Sequence, residues 1–96
     1  MRKIINGRKY DTDTAKCIGC ENNIGCGNDK VLSSTDYLFW EICLYLKKTG
    51  EYFTYYHENA RNKEVITPIS EEEAKKWCEI HMSVEEYEEI WGEVEE

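Results

Sequence analysis

The sequence contains no apolar run approaching the roughly 20 residues of a membrane span, so no transmembrane helix is expected. After the basic pair Arg2-Lys3, only Ile4 and Ile5 are consecutively apolar before Asn6-Gly7. The first residues therefore lack the apolar stretch of a secretory signal, and a cytosolic protein is expected. Catalytic motifs are missing as well. There is no Gly-rich phosphate loop, no G-x-S-x-G and no H-E-x-x-H, and the two histidines, His57 and His81, are far apart. A binding protein is expected and an enzyme is not. Basic residues near the start, Arg2, Lys3, Arg8, Lys9 and Lys16, make only a modest stripe, which argues against direct binding of nucleic acid. No internal repeat or linker divides the chain, so residues 1–96 read as one domain.

The 96 residues are 41% hydrophobic and include three Trp, seven Tyr and two Phe, too many aromatics for a disordered acidic tail. A chain this short buries a limited core, so a staple would matter. The formal net charge of −8 is unevenly distributed. Residues 70–96 hold eleven Glu against Lys75 and Lys76, a balance of −9. Residues 1–69 hold nine acids against ten Lys and Arg, a balance of +1.

Local patterns predict an α+β fold. Lys3-Ile4-Ile5, Asn6-Gly7 and Arg8-Lys9-Tyr10 read as a hairpin around a type I′ turn, because Asn-Gly tolerates the two positive φ angles it needs. Asp11 or Thr12 is placed to cap a short turn through Ala15. Cys17 to Asn28, rich in Cys, Gly and Asn, reads as a loop that something must hold. From Tyr37 to Leu46 the side chains alternate, with Leu38, Trp40, Ile42, Leu44 and Leu46 on a buried face and Tyr37, Phe39, Glu41, Cys43 and Tyr45 on the other. Lys48-Thr49-Gly50 turns this strand into a second one ending at His57. Val65-Ile66-Thr67 reads as a short strand that ends at Pro68 or lies at a sheet edge. Two capping boxes follow, Ser70 with Glu73 and Ser83 with Glu86, each opening a helix, with Gly92 closing the second. The expected fold is a small antiparallel sheet covered by two C-terminal helices, with a zinc-stapled N-terminal loop.

The cysteines carry the chemistry. Five thiols in a reducing compartment are not expected to form structural disulfides, and their odd number disfavours a fully paired set. Cys17-Ile18-Gly19-Cys20 is a C-x-x-C with Cys26 close behind. Two thiolates two residues apart meet one ion across a tight turn, and tetrahedral Zn2+ needs four such ligands, which makes a closed, structural site. Cys43, on the strand face opposite Trp40 and Ile42, is the expected fourth ligand, with His57 next and Cys78, His81 or Asp29 as further candidates. Cys78 and His81 share a helical face with Ala74 and Trp77, a pattern that reads as core. The competing readings of the C-x-x-C are a redox pair, which wants a helix N-terminus in a βαβ unit, and plain burial of small cysteines.

The glutamates suggest an interface. Glu72, Glu85, Glu86, Glu88, Glu89 and Glu93 stand for a negative surface that would steer a Lys/Arg-rich partner, although a dense helical surface of Glu also serves solubility. Lys3 to Gly7, Tyr10 to Ala15, Lys47 to Phe53, Ser70 to Trp77 and Glu86 to Val94 together resemble small proteins of phages and conjugative elements in Gram-positive bacteria, among them anti-CRISPRs that act on type II-A Cas9. The resemblance spans most of the chain through turns and caps, and Cys17, Cys20 and Cys26 depart from it. It implies a bacterial host cell and a stoichiometric inhibitor that occupies a basic surface of Cas9 and hinders target-DNA engagement. The alternative is a zinc-binding regulatory protein of a mobile element that binds another protein or nucleic acid.

Overall fold

A computed structural model describes residues 1–24 and 33–92. Among the described residues six strands precede two helices: β1 (Arg2–Ile5), β2 (Arg8–Asp11), β3 (Lys16–Asn22), β4 (Trp40–Leu46), β5 (Tyr52–Glu58), β6 (Lys63–Ile69), α1 (Glu71–His81) and α2 (Val84–Trp91). Strands β1 and β2 form a separate two-stranded sheet, and the other four form an antiparallel sheet in the order β3-β4-β5-β6. The expected α+β class is the observed one. Among the described residues, no helix is long and apolar enough to cross a membrane.

Local chemistry accounts for the elements. Asn6 and Gly7 take φ of 52° and 76°, the two positive values that a type I′ turn requires between β1 and β2. Asp11 accepts from the Asp13 backbone N–H at 2.9 Å and its carbonyl from Ala15 N–H at 3.1 Å, which makes a single turn before β3. Gly50, at φ 91°, allows the reversal from β4 into β5. Both capping boxes form: Ser70 Oγ accepts from Glu73 N–H and Ser83 Oγ from Glu86 N–H, while each Glu carboxylate takes the N–H of its Ser.

Three expectations need correction. The strand expected from Tyr37 starts only at Trp40, because the Asp36 carboxylate accepts from Leu38 N–H at 3.0 Å and its carbonyl from Phe39 N–H, holding 36–39 in a turn. The stretch from Cys17, read as a loop, is strand through Asn22, since its backbone pairs with β4 from Lys16↔Leu46 to Asn22↔Glu41. The last strand is longer than Val65 to Thr67. It runs from Lys63 to Ile69, and Pro68 is tolerated because β6 is an edge of the sheet.

The sheet is a middle layer with a core on each face. On one face, fully buried Leu44 packs with Ala74 and Cys78 of α1, joined by Ile18, Tyr52, Ile69, Trp77, Met82, Tyr87 and Trp91. This is the predicted face of β4, and Cys78 lies in the core as its helical position implies. On the other face Phe53, Ile66 and Tyr10 form a second core, with Met1, Ile5, Ala15, Tyr45 and Tyr55 against it. Tyr10 brings the β1–β2 hairpin onto the sheet, its ring edge-on to Phe53 at 5.4 Å, while Tyr45 stacks on Phe53 at 5.2 Å. The sequence pattern marked only the first face as buried. The second is buried because the hairpin lies across it.

Candidate metal centre

The cysteine site is built by register. Side chains alternate along a strand, so Cys17 and Cys20, an odd number of residues apart, would point to opposite faces of a regular strand. A bulge between Cys17 and Gly19 inserts Ile18 and resets the phase, so that Cys17 lies opposite Tyr45 and Cys20 opposite Cys43. Tyr45 and Cys43 share a face of β4, and the bulge therefore brings both cysteines of the C-x-x-C to Cys43. Ile18 and Gly19 are left facing the helices. A Cβ on Gly19 would come 2.6 Å from Met82 Cε and 3.6 Å from the Trp77 ring. Gly19 thus leaves room for the Met82 methyl group and the Trp77 ring over the strand.

The sulfurs of Cys17, Cys20 and Cys43 lie within 4.8 Å of one another. Cys17 Sγ is 3.5 Å from Cys20 Sγ. With Zn–S bonds of about 2.3 Å, sulfurs in a tetrahedral site are about 3.8 Å apart, a value that the Cys17–Cys20 pair approaches, whereas Cys20 and Cys43 are at bonding distance. The three cysteines thus form a cluster that could hold a metal ion. Cys20 and Cys43 are joined as a disulfide across the β3–β4 pair, contrary to the expectation that no disulfide forms. The physical reason is their direct opposition in the β3–β4 register.

The environment is graded. Cys17 and Cys20 reach solvent, whereas Cys43 is 3% exposed. Burial pushes the Cys17 thiol above its ordinary value, a backbone hydrogen bond at Gly19 opposes this, and the Glu41 carboxylate adds to the rise. A bound cation would reverse the balance by favouring the thiolate. Cys17 also borders an open cavity of about 390 Å³ whose other walls include Lys16, Leu46, Met82 and Glu89.

The remaining candidates are placed elsewhere or occupied. His57 lies at 3.3 Å from Glu41 Oε1, between the rings of Phe39 and Tyr55. His81 packs on Trp77 at 4.5 Å and faces Glu21 at 3.8 Å. Cys78 is wholly buried and its thiol is pushed up by that burial, which the neighbouring Trp91 side chain partly offsets. Cys26 and Asp29 lie outside the described residues. Glu41 was not singled out in the sequence, although its i, i+2 spacing from Cys43 puts it on the same face.

The acidic candidates divide in a similar way. Glu72, Glu85 and Glu89 are exposed on α1 and α2. Glu86 is engaged in its cap, its carboxylate accepting from both the backbone N–H and the hydroxyl of Ser83. Glu88 is half-buried and has an interaction of its own, and Glu93 lies outside the described residues. At the opposite end of the chain, Arg8 pairs with Glu51 at 2.9 Å and Lys9 with Asp11 at 3.7 Å. Comparison with protein-family models, with curated proteins and with solved structures finds no match to this chain.

Proposed function

We propose that this protein is a non-enzymatic inhibitor that docks its acidic helices on the basic surface of a nucleic-acid-handling protein, with Zn2+ on Cys17, Cys20 and Cys43 holding the sheet edge in place. The observation that carries this reading is the segregation of charge. Glu72, Glu85 and Glu89 stand exposed on the two helices that cover one face of the sheet. Such a field accelerates encounter with a Lys/Arg-rich channel and competes there with phosphates. On the opposite face the hairpin carries Arg8 and Lys9, both engaged in ion pairs, which limits a phosphate-binding stripe. The resemblance to type II-A anti-CRISPRs narrows the partner to Cas9.

Zinc suits the sulfur set. Thiolates favour Zn2+ among the common divalent ions. The metal would add coordination free energy to a short chain whose edge strand β3 precedes a long connection to β4.

The test is co-purification with Cas9 in the presence and absence of guide RNA. A complex at micromolar concentration that weakens as salt rises supports the reading. Combined reversal of Glu72, Glu85 and Glu89 to Lys is expected to weaken it at least about tenfold, since each rim charge contributes modestly to affinity and more to association rate. No complex at micromolar concentration favours the second reading, a regulatory protein of a mobile element with another partner.

A further inference from the structure

Cys20 and Cys43 cannot be disulfide partners and metal ligands at once, because metal coordination takes the thiolate and the disulfide removes it. Two of the three sulfurs that could hold an ion are the disulfide partners. The disulfide closes between Cys20 and Cys43, and the Cys17 sulfur stays 3.5 Å from Cys20. We propose that the trio is a redox-gated metal site, which holds a thiophilic ion such as Zn2+ when reduced and expels it when a low-molecular-weight disulfide oxidises Cys20 and Cys43. This rests on the metal reading above and adds the condition under which the metal is lost.

The chemistry balances without further reactants. Cys20, exposed, attacks one sulfur of the incoming disulfide, forming a mixed disulfide and releasing one thiolate. Cys43, buried directly opposite, then attacks Cys20 Sγ, forming the protein disulfide and releasing the second thiolate. Two protein thiolates are oxidised by two electrons and the small disulfide is reduced by the same two. The divalent ion leaves for solvent, and Cys17 takes up one proton. The burial order fixes the division of roles: the solvent-facing sulfur meets the oxidant and the enclosed one resolves it. Cys17 contributes to metal binding alone, since it is no part of the bond that forms.

The experiment loads the reduced full-length protein with zinc, removes excess metal and adds oxidised glutathione. A chromogenic chelator reports released zinc, and fragmentation mass spectrometry maps the disulfides over the same time course. The expected result is release of about one zinc per chain in step with formation of the Cys20–Cys43 disulfide, and rebinding after reduction. The exposed Cys17→Ser variant is expected to hold zinc less tightly, by at least the roughly 10–100-fold that loss of an outer-shell partner costs, and to form the Cys20–Cys43 disulfide faster than the zinc-loaded wild type. Zinc retained by protein whose Cys20 and Cys43 are paired overturns the gate and leaves the metal reading standing. Zinc lost while other cysteines pair also overturns the gate. A reduced protein that binds no zinc overturns the metal reading, and the gate with it, even if the disulfide forms.

Discussion

The two faces of the four-stranded sheet are covered by different means. The helical face is covered by one continuous stretch of chain, in which β6 runs into Ser70, the cap opens α1 and α2 follows after Ser83, and these helices pack on Leu44 and Ile18 from much earlier in the sequence. The cysteine and hairpin face is assembled from distant pieces, with Tyr10 brought to Phe53 and Cys20 to Cys43, 23 residues apart. Long-range contacts must overcome loop-closure entropy before they stabilise anything. Both faces carry such contacts, and the hairpin face is the one that holds three sulfurs able to cross-link it.

The largest expected effect comes from breaking the hairpin face. Phe53 is fully buried and touches both Tyr10 and Tyr45, so Phe53→Ala should cost about 3–5 kcal/mol in denaturant unfolding. If the hairpin layer were only loosely applied, the loss would stay well below that range. Breaking the helical face at its signals should cost less. Ser70→Ala removes a cap that accepts from Glu73 N–H, with an expected loss of about 1 kcal/mol in the same measurement. An effect as large as that of Phe53→Ala would mean that the helix carries more of the fold than its packing implies.

The smallest effect is a matter of pH. Tyr56 donates to Glu58 at 2.6 Å, and this bond is the first cause both of the raised value of Tyr56 and of the lowered value of Glu58. A raised tyrosine contributes stability that is present below its ordinary value of 10.0 and lost as pH rises through the folded value. A lowered glutamate contributes stability that is present above 4.5 and lost as pH falls. Tyr56→Phe should therefore flatten both the alkaline and the acid limbs of a stability–pH profile. Unchanged limbs would show that the bond does not persist in solution.

What was legible in the sequence follows the same division. The Asn6-Gly7 turn, the β4–β5 hairpin and both capping boxes are local, and residue type alone marks them. The strand identity of Lys16–Asn22 was hidden because its Cys and Gly content resembles a metal loop, and only pairing with β4 makes it a strand. The meeting of Cys17 and Cys20 depends on the Ile18 bulge, which no local propensity marks. Cys43 was legible as the odd small residue on the aromatic face of its strand. The Cys20–Cys43 disulfide was not legible, because direct opposition is a property of register.

The central claim is that the three sulfurs which register brings together form a metal centre. Elemental analysis of protein purified under reducing conditions, for the wild type and for Cys43→Ser, tests it most directly. The account predicts about one zinc per wild-type chain, with Cys17, Cys20 and Cys43 shielded from thiol reagents, and a marked loss of zinc in the variant. Wild-type protein without metal, whose Cys17 and Cys20 react freely in the folded state, would contradict it.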